Sequence, residues 1–193
     1  MADASFNFEF DLDKMMSRHS MRNYINGPNF EQALILGLKK GHEEVADKLI
    51  DKLFQNLESF GLDKGAIINS LDIDIMDEGI SLIINDGEEG YAMFVEFGTG
   101  IVGEDNPHPN PTMSNWIYDI NEHGESGWWY QSRENDPNPT KYLTKSGQWL
   151  AWTRGMPSRP FMYLTWRWAT SSATQIIDKH IKREFRKLER EFR

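Results

Sequence analysis

Hydrophobic positions follow two different periods along the chain, and the switches between them mark out its elements. Phe6, Phe8, Phe10 and Leu12 alternate with Asn7, Glu9 and Asp11, the two-residue period of a short half-buried strand or of an arm awaiting a partner. After the Asn26-Gly27-Pro28 break the period lengthens. Asn29 can cap a helix with Gln32 three residues on, and Phe30, Leu34, Leu38, Val45, Leu49, Leu53, Leu57 and Phe60 then recur at helical spacing. This predicts a long amphipathic helix ended by Gly61. Gly37 and Gly41 inside it each cost about 1 kcal/mol relative to alanine, which points to close packing or to simple tolerance.

The short period then returns. Leu71, Ile73 and Ile75 alternate with Asp72 and Asp74, Asp77-Glu78-Gly79 supplies a turn, and Ile80, Leu82 and Ile84 alternate with Ser81 and Ile83. A second turn, Asn85-Asp86-Gly87 with Gly90, leads into Tyr91, Met93, Val95 and Phe97 on one face and Ala92, Phe94 and Glu96 on the other. With both faces largely apolar, this segment is expected to be a central strand of an antiparallel meander. Glu96 would then face a buried layer and need a cationic or hydrogen-bonding partner. Gly98, Gly100 and Gly103 break the segment.

From Gly100 to Arg159 the character changes, with six of the eight prolines and five of the seven tryptophans between Pro107 and Pro157. Residues 101–155 read as an insertion. Trp128-Trp129-Tyr130 and Gln148-Trp149-Leu150-Ala151-Trp152 are its expected hairpin strands. After Met156-Pro157-Ser158-Arg159-Pro160 a final helix carries Phe161, Leu164, Trp168, Ile177, Ile181, Phe185, Leu188 and Phe192 as its apolar stripe. The fold class is α+β: an antiparallel β-meander packed by a long N-terminal helix and a C-terminal helix, with a Trp-rich β-hairpin insertion. Residues 1–28 form an extension and 29–193 one domain.

Composition narrows the function classes. No apolar run approaches the roughly 20 residues that span a bilayer, and the N-terminus has neither a basic start nor a continuous apolar segment, so no membrane partner and a cytoplasmic setting are expected. The absence of cysteine excludes disulfides, thiolate catalysis and cysteine-ligated zinc. A formal net charge of -9 disfavours sequence-independent binding along nucleic acid. Lys179, Lys182, Arg183, Arg186, Lys187, Arg190 and Arg193 nevertheless crowd the last helix and give one end of the molecule the means to face an acidic neighbour.

Candidate chemistry is sparse. Asp72, Asp74, Asp77 and Gly79 approximate a calcium loop, but the third acid is one place late and the terminal glutamate is absent, so alternating solvent-facing acids explain them better. His42-Glu43 lacks the second histidine of a zinc-protease helix. His108 and His123, near Glu104, Asp105 and Glu122, are the one plausible ligand set for a metal-dependent hydrolase; solvated loop histidines are the plainer reading. A nucleic-acid-binding module using the basic C-terminal helix is a third class. No phosphate-cradling loop or nucleophile elbow is present. Neither a cofactor nor an enzymatic activity is expected.

Three blocks carry a resemblance: Tyr91-Ala-Met-Phe-Val-Glu-Phe-Gly-Thr-Gly100, Asn106-Pro-His-Pro109, and Gly155-Met-Pro-Ser-Arg-Pro-Phe-Met162 before a terminal helix. In order and spacing over roughly residues 29 to 193 they resemble the tail-completion, or neck, proteins that join head to tail in long-tailed bacteriophages. The resemblance implies a non-enzymatic virion component at the head–tail junction, assembled in the host cytoplasm. It would form a ring of itself, of six copies with twelve as the alternative. Its neighbours would be the tail tube or tail terminator on one side and the head-closure or connector protein on the other, with DNA only as passing cargo. The extension and the Trp-rich insertion depart from the family pattern.

Two expectations about sites follow. Glu96 and Arg159, each in a signature block, should form an ion pair that joins the blocks in space. Phe97, Thr99, Trp128, Trp129, Tyr130, Trp149 and Trp152 should meet a second copy or a neighbour, because the insertion cannot bury its own aromatic surface.

Overall fold

The computed structural model describes residues 4–9, 28–62, 64–76, 79–84, 91–110, 116–119, 122–123 and 126–191. In chain order the elements are β1 (Ala4–Glu9), α1 (Pro28–Ser59), α2 (Lys64–Ile68), β2 (Leu71–Met76), β3 (Gly79–Ile84), α3 (Tyr91–Phe97), α4 (Gly100–Asp105), β4 (Trp128–Gln131), β5 (Tyr142–Leu143), β6 (Trp149–Thr153) and α5 (Phe161–Glu191). They fall into two compact units: Ser5–Asn85 with Phe161–Arg193, and Asp86–Pro160. The class is α+β, as the periodicities predict. The expectations resting on Phe10, Leu12, Asp77, Glu78, the Asn85–Gly90 turn and Phe192 lie outside the described residues.

The first unit is built on α1 and α5. Proline suits a first helical position because its missing N–H has no partner there, and α1 begins at Pro28, one residue before the predicted cap. The two long helices run antiparallel: Phe30 stacks on Phe185 with ring centroids 4.8 Å apart, and Asn56, near the other end of α1, donates to Thr165 Oγ1 at 2.9 Å. Between these ends the backbones approach closely. A Cβ on Gly37 would stand 2.7 Å from Ile181 Cα, and one on Gly41 would stand 2.8 Å from Ile177 Cα. The glycines of α1 therefore serve packing.

The buried seam of α5 differs from the predicted stripe. It runs through Thr165, Ala169, Ala173, Ile177 and Ile181 to Glu184, while Leu164, Trp168, Phe185 and Leu188 sit half-buried on its flanks. Close approach to Gly37 and Gly41 selects small side chains at the line of contact and moves the larger ones to either side. Glu184 is 5% exposed and is held between Lys40, at 3.0 Å, and Lys187, at 2.8 Å. His180 meets Glu44 at 2.6 Å.

The sheet of this unit has the order β1-β3-β2. β2 and β3 form the predicted antiparallel hairpin, with Asp72 opposite Ile83 and Asp74 opposite Ser81. Asp72 and Asp74 are exposed, as alternating strand acids should be. β3 is the central strand, and Ile80, Ser81, Leu82 and Ile84 along it are all buried.

That place was expected for Tyr91–Phe97, which instead forms the helix α3 in the second unit. The reason is the lack of polar contrast. Ala92, Met93, Val95, Glu96 and Phe97 are all buried, and a short run this largely apolar has no clear periodicity to distinguish helix from strand. The second unit's sheet has the order β4-β6-β5. β4 and β6 pair antiparallel with Trp129 opposite Trp152 and Tyr130 opposite Ala151, so the predicted Trp-rich pairing forms. β5 adds a third strand that two residues, Tyr142 and Leu143, are too few to announce by alternation.

Candidate functional site

The three sequence blocks meet at Glu96. This side chain and that of His108 are both fully buried, and Glu96 Oε1 lies 3.0 Å from His108 Nε2. His108 Nδ1 lies 3.0 Å from the backbone N–H of Asn110 and 2.9 Å from its carbonyl oxygen. A neutral ring accepts that N–H at Nδ1, and a charged ring donates to the carbonyl. In both forms Nε2 carries a proton toward the carboxylate. The imidazole packs on Phe97 with centroids 4.5 Å apart, and Phe97 packs in turn on Trp116 at 5.3 Å. A charge-assisted bond in this apolar setting is strong, and either partner left alone there would be costly.

The predicted partner of Glu96 is thus corrected: among the described residues the ion pair at Glu96 is with His108, not Arg159. A buried carboxylate needs a group that can itself be fully desolvated, and a neutral-capable imidazole meets that condition at lower cost than a guanidinium. Arg159 reaches the same block through its backbone, donating N–H to Val95 O at 2.9 Å. Ser158 Oγ donates to Glu96 O at 2.6 Å. Thr99 and Met156 exchange backbone bonds of 2.9 and 3.1 Å. The first and last blocks therefore do join in space. Gly155 makes this possible: its φ of +109° is open to glycine, and a Cβ there would lie 1.8 Å from Thr99 O.

The residues expected at an interface separate into three groups. Phe97 is fully buried and Thr99 nearly so, which corrects their assignment to a contact surface; burial within their own unit leaves no side chain to offer. The pleat then divides the rest. Trp128, Tyr130 and Trp149 share the face of the sheet on which Ala151 is fully buried, while Trp129, Trp152 and Tyr142 share the other. On that outer face Trp129 is 52% and Tyr142 45% exposed, and their rings meet edge-on at 5.1 Å. Lys141 lies 5.5 Å over the Trp149 ring on the opposite face.

Beside the inner face lies a cavity of about 400 Å³ whose lining residues include Tyr91, Phe94, Tyr118, Asp119, Trp128 and Tyr130. His123 also lines it, stacked on Trp128 at 4.9 Å and donating its backbone N–H to Asp119 Oδ1 at 2.7 Å. Tyr130 donates to Asp136 Oδ2 at 2.9 Å, and burial pushes the Tyr130 phenol above its ordinary value, so it stays neutral. The sequence reading missed this cavity because its walls are scattered from residue 91 to 156, with no shared motif.

The candidate metal ligands are not assembled. His108 is bound to Glu96 and His123 is stacked on Trp128, and among the described residues no three His, Cys, Asp or Glu side chains are grouped to hold a metal ion. Among the described residues no helix is long and apolar enough to cross a membrane. No family model, curated protein or solved structure matches the chain.

Proposed function

We propose that this chain is a structural virion protein of the head–tail junction of a long-tailed bacteriophage, a tail-completion or neck protein that works by contact. The observation that carries the reading is the convergence on Glu96 of the blocks whose sequence resembles that family. Glu96 meets His108 of the middle block and Ser158 of the last, and Thr99 bridges to Met156. Blocks separated by up to 62 positions act as one structural knot. The exposed aromatic face at Trp129 and Tyr142 suits a protein that docks against a neighbour.

In this reading the chain forms a ring, with the tail tube or its terminator and the head-closure or connector protein as neighbours. DNA passes through without being gripped, consistent with the net acidity. Microscopy of the purified protein, alone and mixed with tail tubes, tests the reading. Rings seated on tube ends support it. A protein that neither binds tubes nor restores joining of heads to tails overturns it.

A further inference from the structure

We propose that the outward face of α5 docks against the outward face of α1 of a second copy, through a ladder of arginine–carboxylate pairs. Glu43, Asp47 and Asp51 follow one another at four-residue spacing on α1 and are all exposed. They stand two positions beyond Gly41, Val45 and Leu49 respectively, of which Gly41 packs on Ile177 of α5 and the other two are buried. Two positions turn a helix by about 200°, so the three carboxylates point away from α5. Arg183 and Arg186 stand in the same relation to Ile181 and Glu184 on the seam of α5, and Arg190 lies one turn further on. These three are exposed as well and point away from α1. Both ladders belong to the first unit.

Each ladder repels itself, because like charges three or four positions apart on one helix face destabilise it. Among the described residues none of the six enters an ion pair or a hydrogen bond, whereas the neighbouring Glu44, Asp178, Lys182 and Glu184 all do. The spacings match. At roughly 1.5 Å per residue the acids span about 12 Å and the arginines about 10 Å. Flanking lysines set the direction. Parallel helices that bring Asp51 to Arg190 would also set Lys39 against Lys179. Antiparallel helices pair Glu43 with Arg190, Asp47 with Arg186 and Asp51 with Arg183, and leave Lys179 beside Gln55. A planar guanidinium forks onto a carboxylate in each pair. Phosphates would suit the arginines too, but the formal net charge of -9 and the matched acids on the same unit favour a second copy. The two faces differ, so the contact is head-to-tail and closes into a ring when the rotation between copies permits. The inference rests on the ring reading above and names the contact between its copies.

Sedimentation of the full-length chain over a range of concentrations, at low and at high salt, tests it. Self-association is expected at low salt and should weaken as salt screens the exposed pairs. Asp51→Arg and Arg183→Asp, each made alone, should weaken it at least about tenfold, the equivalent of 1.4 kcal/mol. Both substitutions in one chain restore the pair and should return association to near the wild-type level, whereas Asp51→Arg with Arg190→Asp should not. That rescue separates a lost contact from a lost fold. A wild type that stays monomeric at every concentration, single variants that associate like the wild type, or rescue by Arg190→Asp in place of Arg183→Asp overturns the proposal. So does a monomeric wild type whose binding to double-stranded DNA is lost in Arg183→Asp, which would assign the arginines to nucleic acid. Asp51→Arg rings on tail tubes indistinguishable from wild-type rings would sink this contact and leave the neck reading standing. Failure of the wild type to bind tubes would sink the neck reading, while the rescue result would still decide the contact.

Discussion

Glu96 and His108, twelve positions apart in sequence, share a 3.0 Å hydrogen bond with neither side chain exposed to solvent. The bond crosses from α3 to the Pro107–Pro109 turn, and the packing of Phe97 on the imidazole keeps water from it. It is the electrostatic centre of the knot on which the functional reading depends.

Removing one partner should therefore be severe. His108→Ala leaves the Glu96 carboxylate buried beside a void and is expected to cost about 3–5 kcal/mol. Glu96→Gln, which keeps an acceptor for the Nε2 proton, should cost markedly less. Denaturant midpoints of the two variants check the ordering, and equal losses would mean that shape, not charge pairing, holds this site.

Gly41→Ala sets two effects against each other. Alanine favours the helix by about 1 kcal/mol, but its Cβ would lie 2.8 Å from Ile177 Cα, which is backbone and cannot step aside. Overpacking of this kind costs about 1–3 kcal/mol, so net destabilisation is expected, and Gly37→Ala against Ile181 should behave alike. A thermal midpoint that rises in either variant would show that α1 and α5 separate at little cost.

The helix pair should be acid-sensitive. Hydrogen bonds from Lys187 and then Lys40 hold the Glu184 carboxyl below its ordinary value of 4.5, and the bond from His180 does the same for Glu44. A folded-state value below the unfolded one means stability that is complete above pH 4.5 and is lost as pH falls through the folded value. Glu184→Gln should lower the denaturation midpoint at neutral pH and flatten its decline in acid. An unchanged acid limb would assign the sensitivity to other carboxylates.

Gly155→Ala tests the junction between the first and last blocks. Backbone strain of about 1–3 kcal/mol would add to the overlap of its Cβ with Thr99 O. The near-ultraviolet dichroism of the tryptophans in Asp86–Pro160 should collapse while far-ultraviolet helicity from α1 and α5 largely remains. Simultaneous loss of both signals would mean that the two units fold as one.

The outer face of the β4-β6-β5 sheet should matter for contact and not for folding. Trp129→Ser with Tyr142→Ser removes exposed rings and is expected to change stability by no more than about 0.5 kcal/mol. Head–tail joining should fall sharply, and full activity of the double variant in joining would remove this face from the interface.

Much of the first unit was legible in order. The periods of α1 and α5 and the alternation of β2 and β3 are local properties, written by side chains that must be in or out at each step. The pairing of the Trp-rich strands was legible for the same reason. Three things were decided only by tertiary structure. Tyr91–Phe97 is apolar but for Glu96 and mostly buried, so its residues show no alternation of exposed and buried positions that would separate helix from strand, and its neighbours chose helix. The seam of α5 follows Ala169 and Ala173 instead of its largest residues, because the line of contact is set by the glycines of a helix over a hundred positions away. Glu96 announced its need for a partner, but burial chose among the candidates: the imidazole could be enclosed with Phe97 and Trp116, whereas Arg159 meets this block through its backbone N–H on Val95. A residue's need is a matter of its own chemistry, and its partner is a matter of which group the fold can desolvate beside it.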